Sequence, residues 1–88
     1  MTRFKSRILC VDDDADTCEM LSFFLEQAGY KVVADAAAAD GLKLAMKGKF
    51  DLCLLDLRLS DGTGIELCEQ IRAFDSSTPV VVCSGDVR

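Results

Sequence analysis

Ile8-Leu9-Cys10-Val11-Asp12-Asp13-Asp14 is an unbroken apolar run that ends in a block of acid. Two further runs close on polar groups: Leu52-Cys53-Leu54-Leu55 on Asp56, and Val80-Val81-Val82-Cys83 on Ser84-Gly85. Each run is short and rich in leucine or β-branched residues, the pattern of a strand buried on both faces. In a parallel sheet, functional groups gather at the carboxyl ends of the strands. The three polar ends therefore meet at one edge. Several carboxylates and a hydroxyl in one place suit a hard cation and a phosphate.

Working outward, the chain alternates strands with helical patterns. Residues 7–11 form the first strand. A helix follows over about 14–28, started by Asp residues suited to capping; Asp16 and Glu19 resemble a capping box. Cys18, Leu21, Leu25 and Ala28 recur at helical spacing as its buried stripe, and Gly29 is placed to stop it. Residues 31–34 form a second strand. Residues 38–47 form a weaker helix with Leu42, Ala45 and Met46 inward, in which Gly41 costs roughly 1 kcal/mol relative to Ala. The third strand is 52–55, followed by a loop over 56–64. The third helix is 65–74, with Leu67, Cys68, Ile71 and Phe74 on its inner face. Ser76-Ser77-Thr78-Pro79 breaks it before a fourth strand over 79–83. Repeated βα units imply right-handed crossovers and an α/β fold with a parallel sheet.

The 88 residues allow one small domain, and half of them are hydrophobic, enough to expect folding. The net charge is −5, and four of the eleven Asp lie within 12–16, which argues against a nucleic-acid surface on this segment. No stretch reaches the length of a membrane span, and the N-terminus has no signal-peptide core. Cys10, Cys18, Cys53, Cys68 and Cys83 show no C-x-x-C spacing. They read as reduced thiols of a cytoplasmic protein, and with no His a zinc site is not expected.

Taken in order, these residues resemble the receiver domain of two-component response regulators, over the whole chain. Val11-Asp12-Asp13 is similar to that family's acidic pair after the first strand. Phe50-Asp51-Leu52-Cys53-Leu54-Leu55-Asp56 is similar to its third strand with the phospho-accepting aspartate. Gly41 with Ala45, Gly64, and Pro79 through Ser84-Gly85 fit further positions. The resemblance implies a flavodoxin-like doubly wound sheet of order 2-1-3-4-5, and a phosphoacceptor rather than an enzyme. It implies that Asp56 takes a phosphoryl group from a sensor histidine kinase or phosphotransfer protein. Asp13 and Asp56 would bind Mg²⁺ (or Mn²⁺) directly and Asp12 through water, with the backbone carbonyl of Arg58 completing the set. Ser84 and the Gly85 N–H would hydrogen-bond the phosphoryl oxygens. Asp14 and Asp16 are expected as helix caps, Asp61 as a turn residue, and Asp40 and Asp51 as solvated surface carboxylates.

Two departures from the family stand out. Ser60 occupies a position where the family usually has proline. The chain also stops at Arg88, where a receiver continues through a fourth helix, a fifth strand and a fifth helix. By resemblance the domain, 1–88, is therefore incomplete at its C-terminus by at least one βα unit, on the order of 30 residues. The fifth-strand lysine of the family lies in that part. Lys5, Lys31, Lys43, Lys47 and Lys49 all precede Asp56 and cannot replace it. The fourth strand is then expected as an exposed edge prone to self-association. An alternative reading is a receiver-derived interaction module without efficient phosphotransfer. A haloacid-dehalogenase phosphatase needs D-x-D-x-T, and Asp16 stands where Thr is required. A calcium EF-hand starting at Asp12 fails because its twelfth position is Phe23.

Overall fold

A computed structural model describes residues 6–83. Ser84 and Gly85 lie outside the described residues. Strands β1 (Arg7–Val11), β2 (Lys31–Asp35), β3 (Leu52–Asp56) and β6 (Val80–Cys83) form one parallel sheet in the order β2-β1-β3-β6. Helices α1 (Ala15–Gln27), α2 (Ala38–Lys47) and α3 (Gly64–Arg72) make the crossovers. The expected strand order holds for the four main strands. The segment read as plain loop contains a small antiparallel hairpin, β4 (Arg58–Leu59) and β5 (Gly62–Thr63).

The main core cluster lies on one face of the sheet, while Ile8 and Cys10 of β1 are buried on the other. Alternate residues Leu9 and Val11 of β1, with Cys53 and Leu55 of β3, pack against Ala38 of α2 and against Leu67 and Ile71 of α3. Leu9, Val11 and Leu67 have no solvent exposure. Each such leucine or valine contributes about 1.5–3 kcal/mol through burial. Gly41 explains itself here. A Cβ at this position would sit 2.6 Å from Cγ2 of Val11, so the glycine that weakens α2 lets it lie directly on the end of β1.

The helix termini differ from the sequence expectation in instructive ways. The N-cap of α1 is Asp14, whose carboxylate accepts the Asp16 N–H (3.1 Å) and the Thr17 hydroxyl (2.8 Å). The box expected at Asp16 and Glu19 falls two residues too late. A full capping box occurs instead at Thr63 and Glu66, at the start of α3. Gly29 stops α1 as expected, with φ at 99°; its N–H bonds Glu26 O and the Tyr30 N–H bonds Leu25 O, a Schellman arrangement.

The expected inward faces need three corrections. No residue of α1 is fully buried: Cys18, Leu21 and Leu25 are half-buried and Ala28 is exposed. The helix packs along β2, the outer strand, so less of its surface meets the sheet. Met46 is 63% exposed because Leu42, Leu44 and Ala45 take up the contact with the core. Phe74 lies past the end of α3 and is 46% exposed. Among the described residues β6 pairs only with β3, and Val81 on it is 44% exposed.

Candidate functional site

Val11 and Leu55 are register partners, so the residues that follow them leave the sheet side by side. Asp12 and Asp13 follow β1, and Asp56 is the last residue of β3. One carboxylate oxygen from each of Asp12, Asp13 and Asp56 lies within 4.8 Å of the others. Asp12 and Asp56 are half-buried and Asp13 is exposed. The structure thus brings together the three acids singled out in the sequence. It sends the other two acids of the 12–16 block, Asp14 and Asp16, into the first turn of α1.

Asp12 is held on three sides. Its N–H donates to Asp35 O (3.1 Å), and its carbonyl accepts from the Cys18 thiol (3.1 Å). Its carboxylate accepts the Asp14 N–H (2.9 Å). Burial nevertheless raises its pKa above the ordinary carboxylate range, and the neighbouring charges of Asp56 and Asp13 add to that. The Asp14 N–H pulls in the opposite direction and does not cancel it. Crowding among the acids is therefore present as expected, although desolvation is the larger cause. The pKa of Asp14 runs the other way: the Thr17 hydroxyl and backbone N–H groups hold it below the usual range. Beneath the site, burial pushes the Cys10 thiol up to about 12, with Cys18 alongside. A thiol that stays protonated is neither a nucleophile nor a metal ligand at neutral pH. All five cysteines are free.

The Leu57 N–H donates to Cys83 O at 2.7 Å and the Gly64 N–H to Leu57 O at 2.9 Å. Asp56 and Cys83 are register partners, so the end of β6 runs beside the end of β3. Gly64 is seated so close to the Asp56 carbonyl that a Cβ there would overlap it. Arg58 lies two residues past Asp56, in β4, while the carbonyl of Leu57 between them is already committed to Gly64. The positions singled out as Ser84 and Gly85 lie beyond the described residues. The described lysines are elsewhere: Lys31 opens β2, Lys43 lies in α2, and Lys47 and Lys49 line a cleft at the opposite end of the sheet with Phe50 and Phe74.

Two acids read in the sequence as bland have definite partners. Asp61 accepts the Ala38 N–H (2.8 Å) and the Ala39 N–H (3.0 Å), so it caps α2 from 23 residues downstream. Those two bonds lower its pKa. No local sequence signal could reveal a cap supplied from so far away. Asp51 accepts the Arg7 N–H at 2.7 Å, fastening the start of β1 to the start of β3. The Thr63–Glu66 box carries a local signal, the Thr-x-x-Glu spacing.

Three carboxylates, with no nitrogen or sulfur donor among them, form a hard oxygen site of the kind that suits Mg²⁺ or Mn²⁺. Comparison with known proteins places the chain in a family. A family model described as the response regulator receiver domain matches residues 8–88. The chain is 38% identical over 85 residues to the DNA-binding response regulator MtrA of Mycobacterium tuberculosis, covering 97% of this chain and 37% of that protein. A crystal structure of a CheY-like response regulator receiver domain protein from Methanospirillum hungatei superposes with a TM-score of 0.91 at 32% identity, covering 97% of this chain and 68% of that one. The histidine kinase ThkA in complex with the response regulator protein TrrA matches at a TM-score of 0.87 and 26% identity, covering 94% and 72%. This chain belongs to the response regulator receiver domain family. It spans little more than a third of the length of MtrA. Receiver domains of this family take phosphate from histidine kinases and bind Mg²⁺ in their acidic pocket.

Proposed function

We propose that this receiver accepts a phosphoryl group on Asp56, in a reaction that depends on Mg²⁺ or Mn²⁺ at the acidic cluster. The observation that carries the reading is the convergence of Asp12, Asp13 and Asp56 to within 4.8 Å at the carboxyl edge of the sheet. Asp13 and Asp56 would hold the ion directly and Asp12 through water, with the Arg58 carbonyl as a further ligand. The ion supplies charge neutralisation that lets an anionic donor approach three carboxylates. A carboxylate oxygen of Asp56 attacks phosphorus, forming an O–P bond as the N–P bond of a phosphohistidine donor breaks. The donor imidazole leaves with the bonding electrons. Ser84 and the Gly85 N–H donate to the phosphoryl oxygens. The donor is a sensor histidine kinase or phosphotransfer protein, and the setting is the cytoplasm. Among the described residues no helix is long and apolar enough to cross a membrane.

The test is incorporation of phosphate from a small phosphodonor with and without Mg²⁺, followed by mass mapping. Mg²⁺-dependent label on Asp56 is the expected result. Label on Asp51, or on Asp12, would refute the assignment. The outer edge of β6 is also proposed as a self-association surface, because its backbone groups on that side have no strand partner among the described residues. Sedimentation should show the sedimenting species growing with concentration; a monomer at every concentration would dismiss that surface.

A further inference from the structure

We propose that Asp61 is a positioning residue for the acidic site. By clamping the 58–63 hairpin to the first turn of α2, it fixes where Asp56 and the Arg58 backbone sit relative to Asp12 and Asp13. This inference rests on the proposed phosphoacceptor function.

The two halves of the site leave the sheet on different segments. Asp12 and Asp13 belong to the β1–α1 connection, and Asp56 opens the segment that leads through the hairpin to α3. Asp56 is paired with Cys83 of β6 and the Asp12 N–H with Asp35 O of β2, but the ladder that joins β1 directly to β3 ends at Val11 and Leu55, one residue short of both acids. The α2 helix is anchored to the first half, since Gly41 lies directly against Val11, the residue before Asp12. Asp61 anchors the second half to the same helix. It sits in the two-residue turn between Leu59 and Gly62, which are register partners in the hairpin. Both of its carboxylate oxygens are used, one for the Ala38 N–H and one for the Ala39 N–H. At its other end the hairpin is fixed to Asp56 by the Gly64 N–H on Leu57 O and by the close seating of Gly64 on the Asp56 carbonyl. A brace therefore runs from Asp12 through Val11, Gly41 and α2 to Asp61, and back along the hairpin to Asp56.

A cap that served only α2 could be local. Ala37, at the N-cap position, makes no side-chain capping bond. Asp35 stands nearby but spends its carboxylate on the Ala36 and Ala37 N–H groups, at 2.7 and 3.2 Å. A serine or aspartate at position 37 would satisfy the helix in the usual way. Supplying the cap from the hairpin adds a connection between two segments, and a local cap would not.

The test compares Asp61→Ala and Asp61→Asn with Asp75→Ala, which removes four turn hydrogen bonds, twice as many as Asp61 accepts, at the far end of the sheet. Amide hydrogen exchange is measured on the metal-free chain and Mg²⁺ affinity by direct titration, both well below the melting temperature. Asp61→Ala should speed exchange across 57–64 and at Ala38 and Ala39. It should raise the Mg²⁺ dissociation constant by about tenfold, the scale of losing a residue that orients a metal ligand. Asp61→Asn keeps one acceptor and should restore most of the affinity. Asp75→Ala should leave both readouts at 57–64 and at the metal unchanged. Faster exchange with Mg²⁺ affinity within twofold of the parent would reduce Asp61 to a helix cap and overturn the inference. Equal affinity loss from Asp75→Ala would do the same. If the parent chain binds no Mg²⁺, the proposed function fails separately, and exchange at 57–64 alone decides whether Asp61 holds the hairpin.

Discussion

Asp75 and Asp12, at opposite ends of the sheet, sit in opposite environments. At the amino end, Asp75 accepts four hydrogen bonds, from the N–H and hydroxyl groups of Ser77 and Thr78. The Thr78 hydroxyl and these N–H groups drive its pKa far below the ordinary range. Asp51 at that end is tied to the Arg7 N–H. At the carboxyl end, Asp12 has one backbone donor for its carboxylate, two acidic neighbours and enough burial to raise its pKa. A carboxylate given donors stabilises the fold. A carboxylate denied them, and set beside others, stores electrostatic cost that a cation can relieve.

The largest effect expected at the carboxyl end is chemical. Asp56→Asn should abolish phosphate incorporation from a small phosphodonor, whereas Asp51→Asn, at the other end of β3, should leave it intact. Retained label in Asp56→Asn would place the nucleophile elsewhere. Next in size is metal binding. Asp13→Asn should weaken Mg²⁺ by at least about tenfold, since even residues that only orient a ligand are worth that much. Asp16→Asn should not, because Asp16 belongs to the first turn of α1. Equal losses in a titration would remove Asp13 from the ligand set.

A packing change should come third. Gly41→Ala improves helix propensity by roughly 1 kcal/mol. It also drives a methyl into Val11, which has no solvent-exposed surface and cannot move aside. Overpacking of this kind costs about 1–3 kcal/mol, so denaturant unfolding should show a net loss. A gain would mean that α2 is not seated on β1. The smallest effect is the dependence of stability on pH. Asp14, Asp61 and Asp75 have depressed folded-state pKa values. Their contribution is fully present above the unfolded carboxylate value, about 3.9. It is lost as pH falls below that value. Asp12 has a raised value, so its penalty disappears as pH falls through it. Acid unfolding should therefore set in only below about pH 4, and should move to higher pH in Asp75→Asn.

Much of this was legible in the sequence, for a physical reason. The apolar runs made β1, β3 and β6 stand out as strands, and their polar ends stood out with them, but only β1 is buried along both faces; β3 alternates buried with half-buried residues and β6 half-buried with exposed ones. The order β2-β1-β3-β6 was implied by the resemblance to the receiver family, since a right-handed βα pattern fixes the hand of the crossovers and not the order of the strands. Amphipathic faces were read less well. Met46 and Phe74 share the helical spacing of the core, but spacing does not say which members of a stripe lie under the contact. Long-range polar contacts were invisible. Nothing near Ala38 indicates that Asp61 will cap it, and nothing near Asp51 indicates that Arg7 will lie opposite. Asp14 was legible as a cap because its partners are two and three residues away.

The contrast between the two ends is tested most directly by one set of thermal melts. Asp12→Asn and Asp75→Asn each remove one negative charge from an aspartate at one end of the sheet. Melting temperatures are taken for both variants and the parent at neutral pH, in chelator and in saturating Mg²⁺. Without metal, Asp12→Asn should melt above the parent and Asp75→Asn below it. With Mg²⁺ the parent should gain stability, and the advantage of Asp12→Asn should shrink or reverse, while the deficit of Asp75→Asn stays constant. If both variants melt below the parent in chelator by similar amounts, and Mg²⁺ shifts neither difference, the acids at the carboxyl end are structural and no cation site has been built there.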